Sequence, residues 1–143
     1  MPLTFYVRRS DYPPDVSWRL AEWCLERGAT VFGLEFLVAG KVGPSTFADI
    51  DSALKAFRVP DVEDRFVFSH ESLVALRAVF PNGLFGNVMD GDGWVEDPIF
   101  YRSGAPLLEV VSHEGEAILT IEPDDKASLD ALALPYHRQG VWV

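Results

Sequence analysis

Cysteine is almost missing from this chain: Cys24 is the only one in 143 residues. A lone thiol excludes an internal disulfide, so the core must hold the fold, and the composition fits a reducing compartment. Long apolar runs are missing too. No window approaches the roughly 18 apolar residues of a membrane span. The opening "MPLTFYVRRSDYPP" places its arginines after a short apolar run, the reverse of a secretory signal. A cytoplasmic protein with no membrane role is expected. Basic residues are scarce, 12 against 22 acidic ones, for a net charge of −10. The imbalance is uneven: residues 72–143 hold 4 basic and 11 acidic side chains. Such a field repels a phosphate backbone, which argues against nucleic acid, and attracts a basic protein. No nucleophile elbow, phosphate-cradling glycine loop, dinucleotide fingerprint or internal repeat is present, and no family signature stands out. No cofactor is expected.

Hydrophobic residues, in contrast, make up 48% of the chain and aromatics 13%, enough for one domain over 1–143. "LTFYVRR" alternates like a half-buried strand. "PPDVSWRLAEWCLERG" reads as a helix, with Pro14 in its first turn and Gly28 at its stop. Asp15, Arg19, Glu22 and Glu26 form its one polar stripe, and Cys24 falls among core residues. "TVFGLEFLV" follows as a strand, so strand, helix and strand suggest a parallel βαβ unit. "STFADIDSALKAFRVP" is a second helix with Ser45 or Thr46 as cap. Ser69 caps a third, "HESLVALRAVF". "NGLFGNVMDGDGWVEDP" has four glycines and little periodicity, so it reads as an irregular loop of about 15 residues. Beyond it come "IFYRS", a turn at Ser103–Pro106, two more strands, a short helix near Asp124–Ala133, and a tail that would add a final strand. The expected fold is α+β: a mixed sheet of about 5–6 strands with a C-terminal antiparallel meander, and about 4 helices.

The segment "LLEVVSHEGEAILTI" decides what His113 and Glu116 are. A two-residue turn at Glu114-Gly115 sets Ser112 against Ala117, Val110 against Leu119 and Leu108 against Ile121, an uncharged face. A three-residue turn suits Gly115 better but would move Glu109 onto the apolar face, so the apolar pattern favours the shorter turn. His113 and Glu116 would then pair across the hairpin mouth without any chemistry. The zinc-protease pattern is not met, since Ala117 stands where its second histidine belongs. Asp90, Asp92 and Glu96 alternate with glycines as a hard cation would require, but they depart from the calcium-hand pattern after two ligands. His70, His113 and His137 have no spacing that brings them together.

Two functions remain. The stronger is a non-catalytic acidic protein that docks on a basic protein partner, an inhibitor of the immunity type in size and charge. Its contact surface would comprise Asp90, Asp92, Trp94, Glu96 and Asp97, with Glu114 and Glu116 from the hairpin. The alternative is a small hydrolase or lyase in which Glu116 orients His113 as general base, with a metal at Asp90, Asp92 and Glu96.

Overall fold

A computed structural model describes residues 1–38, 47–90 and 93–140. Its strands are β1 (Leu3–Arg8), β2 (Val31–Val38), β3 (Arg65–Val67), β4 (Val88–Asp90), β5 (Gly93–Arg102), β6 (Ala105–Val111) and β7 (Glu116–Ile121). Its helices are α1 (Pro14–Glu26), α2 (Ala48–Leu54), α3 (His70–Val79) and α4 (Lys126–Ala131). The fold is α+β, with one seven-stranded sheet in the order β1-β7-β6-β5-β2-β3 and β4 beside the first part of β5.

Every neighbouring pair in the sheet is antiparallel. The expectation of a mixed sheet with a simple βαβ unit therefore needs correction. β1 and β2 do run in the same direction, but β7, β6 and β5 stand between them. The α1 crossover spans half the sheet, and the meander fills the gap that it leaves.

Alternation decides which face of the sheet is covered. Phe5, Val7, Phe32, Leu34, Phe66, Val95, Phe100, Leu108, Val110, Ala117 and Leu119 all lie on one face and are buried. Trp18, Leu20, Trp23, Leu54, Leu76 and Leu129 from the four helices join them in one apolar cluster. Each such large side chain contributes about 1.5–3 kcal/mol when fully removed from water. The other face carries Tyr6, Arg65, Tyr101, Glu109, Val111 and Ile118, none of them buried. Among the described residues the helices thus form one layer, and the sheet's second face is largely open.

Side chains lock the layers together. Ser17 accepts the Leu84 amide at 3.0 Å, fixing the turn after α3 to α1. Gly83 sits in that turn with φ of 88°, and a Cβ there would lie 2.8 Å from the Pro14 Cα. Ser69 caps α3 in a reciprocal box with Ser72. Helix α2 is handled differently. Phe47 is its N-cap residue and offers no side-chain oxygen. The carboxylate of Asp90, 40 positions away on β4, accepts the Ile50 amide at 3.0 Å instead. The proposed caps Ser45 and Thr46 lie outside the described residues.

Two other expectations are revised. The stretch read as one irregular loop contains the β4–β5 hairpin, with Met89 opposite Trp94. The β6–β7 register is Val110 with Ala117 and Leu108 with Leu119. That is two residues away from the favoured register, and so the side chains that remain paired, Leu108 to Val111 and Glu116 to Leu119, keep their expected faces. Ser112–Glu114 form a turn of 3-10 helix, and Gly115 leaves it left-handed at φ of 66°. Among the described residues the tail meets β1 through one bridge, Tyr6 with His137.

Candidate functional site

A bulge between β2 and β5 shapes the open face. β2 and β5 pair regularly from Val31 to Gly33, opposite Tyr101 to Ile99, and resume with Glu35 opposite Glu96. Asp97 and Pro98 together stand opposite Leu34, so β5 carries one residue more than β2 there. Proline has no amide to give to the ladder, which suits it to a bulge. Asp97 takes a left-handed φ of 57°. Its carboxylate accepts the Ser112 amide at 2.7 Å, tying the bulge to the turn after β6.

This arrangement gathers acids. The Glu35 carboxyl lies within hydrogen-bonding reach of Asp97. Glu35 remains exposed as a residue, yet partial loss of water around its carboxyl pushes its pKa up. The Asp97 hydrogen bond and the charges of Asp97 and Glu96 push the same way, opposed weakly by His113. Glu109 stands opposite Ile99 on β6. Glu35, Asp97 and Glu109 line a cleft of about 330 Å³ with Arg65, Tyr101 and Gly33. Arg65 does not neutralise them by contact, because its guanidinium lies 4.2 Å over the Tyr101 ring. Among the described residues, Glu35, Glu96, Asp97 and Glu109 form no ion pair.

One step along the strands the character changes. Met89, Trp94 and Leu37 form a row across β4, β5 and β2. Met89 is 67% exposed, and Trp94 and Leu37 are half-buried. An apolar row with an aromatic residue thus borders a cluster of carboxyls.

The residues singled out from sequence divide sharply. Trp94, Glu96 and Asp97 come together here, all half-buried. Asp90 does not belong with them: it is 7% exposed and occupied with the α2 amide. Asp92 lies outside the described residues. Glu116 is also buried, at 5%, beneath the C-terminal segment near Gly140. It stands opposite Val111 and Arg8 rather than His113, so the expected His113–Glu116 pair is not formed. The two-residue slip in register separates them. His113 is instead in the turn, 70% exposed and 3.9 Å from Glu114. It borders a second cleft of about 400 Å³ with Glu96, Ser112, Arg9, Asn82 and Asn87. His137 contacts Asp11 at 2.8 Å, and His70 begins α3 on the helical layer. Among the described residues, no group of three histidines, cysteines or carboxylates is placed to hold a metal ion. Among the same residues, no helix is long and apolar enough to cross a membrane.

Sequence reasoning missed Glu35, Leu37 and Met89. Glu35 carried a signal, as the one charge in the apolar strand "VFGLEFLV". Its partners could not be read without the β2–β5 register. Cys24 is fully buried, and burial pushes its thiol pKa far up, which makes it inert packing.

No family model, curated protein or solved structure matches this chain.

Proposed function

We propose that this chain is a non-catalytic acidic binding protein that docks on a basic protein partner through the open face of its sheet, as an inhibitor of the immunity type would in the cytoplasm. The observation that carries the reading is the Met89–Trp94–Leu37 row beside Glu35, Glu96 and Asp97. Carboxyls that form no ion pair among the described residues speed the approach of a cation and select it, while an aromatic anchor supplies affinity once water is displaced. The contact set of the reading is therefore Trp94, Glu96 and Asp97 with Glu35, Leu37 and Met89 added, and Glu114 at its margin. Asp90 and Glu116, being buried, are dropped from it.

Immobilised protein exposed to extract of its native host tests this reading. Wild type should retain a basic protein in low salt and release most of it in moderate salt. A Trp94→Ala, Glu96→Gln double variant should lose that protein, while Val74→Ala on the helical layer retains it. Recovery of no basic protein at either salt, or equal recovery by the double variant, counts against the proposal.

A further inference from the structure

At the edge of the sheet away from β2, an inference goes beyond the docking reading. Most arginines of this chain are engaged: Arg27 and Arg102 hold Asp125, Arg58 holds Asp51, and Arg65 lies over Tyr101. Arg8 and Arg9 differ. Among the described residues neither forms an ion pair, although Glu116 is the cross-strand partner of Arg8. The Arg8 Nε is shut away from water without a hydrogen-bond partner. An unpaired buried donor on a charged group is more costly than a neutral one, so it calls for a cause. Ser112 Oγ is the other such atom among the described residues, and Ser112 itself is 8% exposed. Both atoms belong to one corner. The Arg9 amide donates to the Gly115 carbonyl at 2.8 Å, holding the end of β1 against the Ser112–Gly115 turn. Arg8, Arg9, Ser10 and Gly115 line an open cleft of about 730 Å³ there, together with Glu114. Arg9 also lines the cleft of about 400 Å³ that holds Ser112, His113, Asn82 and Asn87.

We propose that Arg8 and Arg9 bind a phosphate group at this corner, carried by a small phosphomonoester or free as the ion. Each guanidinium offers a planar fork of donors, and two adjacent positive charges suit a dianion better than a singly charged carboxylate. An anion on the terminal nitrogens of Arg8 compensates a charge whose Nε side has lost its water. Ser10 adds a hydroxyl to the cleft. The adjoining cleft, with Asn82, Asn87, His113 and the partnerless Ser112 hydroxyl, has hydrogen-bonding capacity for the organic part of an ester. Nearby acids set the limit. Glu114 lines the cleft 3.9 Å from His113, and the net charge of −10 opposes any anion at long range. A single phosphate meets mainly the local pair of arginines, whereas a nucleic-acid backbone meets the whole acidic surface. Affinity is therefore modest. The Trp94 row lies on β2, β4 and β5, so the two sites are separate.

Phenyl phosphate, inorganic phosphate and acetate are the probes. Each is titrated into isotope-labelled full-length protein at matched ionic strength and about pH 7.5, where phosphate is largely a dianion, and followed by amide NMR. Both phosphates should shift the amides of Arg9, Ser10 and Gly115 first and saturably, with acetate about tenfold weaker. Tighter binding of phenyl phosphate than of the ion assigns the site to an ester, and equal binding assigns it to the free ion. Arg8→Met and Arg9→Gln should each weaken phosphate about tenfold. Arg8→Met should also keep or raise the melting temperature, because it removes a buried donor without a partner from the fold. Glu114→Gln should tighten phosphate about two- to fourfold, a gain that misfolding cannot mimic. Arg77→Gln on α3 should bind as wild type does. No saturable shift, shifts that appear first elsewhere, acetate bound as tightly as phosphate, or full affinity in Arg9→Gln would overturn the proposal. A melting temperature lowered by Arg8→Met would do the same, since Arg8 would then serve the fold. The docking reading stands or falls separately, with the Trp94→Ala, Glu96→Gln double variant.

Discussion

Asp125 is 2% exposed and accepts bonds from Arg27 at 2.8 Å, from both terminal nitrogens of Arg102 at 2.9 and 2.7 Å, and from the Glu122 amide at 2.9 Å. The Arg102 guanidinium above all holds its carboxyl far below the usual carboxylate range. The end of α1, the end of β5 and the start of α4 meet at this one side chain. Asp125→Ala should destabilise the protein by about 2–3 kcal/mol, somewhat under the range for a fully buried pair because both arginines keep contact with water. Its charge also dictates an acid limb. A depressed pKa stabilises the fold above the unfolded-state value near 4, and that stability is lost as pH falls below it. Chemical denaturation should show stability dropping between about pH 4 and 2, with a shallower drop in Asp125→Asn. Glu35 has the opposite sign. Its raised pKa means that the folded state holds the proton more tightly, so stability falls as pH rises through the range where Glu35 ionises. Glu35→Gln should raise the melting temperature by about 1–2 °C at pH 8 and leave it unchanged at pH 4, a modest effect because the site is exposed to water. A melting temperature lowered at pH 8 would mean that Glu35 supports the fold.

At the scale of elements, Asp90 separates surface charge from structural charge. It serves as the cap that Phe47 cannot provide, so Asp90→Ala should lose about 1 kcal/mol in urea denaturation. It should leave partner binding intact, whereas a docking residue would show the reverse. The helices were largely legible in sequence: α1 from its polar stripe and Pro14, α3 from Ser69. So were β1 and β2, whose alternation marks the covered face. Alternation has a period of two, however, and cannot tell a register from one displaced by two residues. The β6–β7 pairing was therefore misplaced while its faces were right, and His113 was set opposite Glu116 for the same reason. Gly115 at the end of a 3-10 turn set the true register. The β4–β5 hairpin escaped because β4 has only three residues, too few to show a period. The bulge at Asp97-Pro98 and the long reach of Asp90 to α2 leave no local trace at all, since both depend on which strands become neighbours.

At the scale of the molecule, four helices gather on one side of a seven-stranded sheet, and among the described residues the other side is largely open. Half of the proposed surface was visible in sequence as Trp94, Glu96 and Asp97. The rest waited on the sheet order that brings β2 against β5. Charge at this scale is a matter of placement: two of the expected carboxyls, Asp90 and Glu116, are drawn inside, and Glu35 takes their place. Hydrogen exchange on the complex with the basic protein retained from the host measures the central claim most directly. Protection should concentrate on residues 33–37, 88–90 and 93–97, with α1 and α3 exchanging as in the free protein. Protection confined to α1 and α3, with β2 and β5 unchanged, would contradict the account.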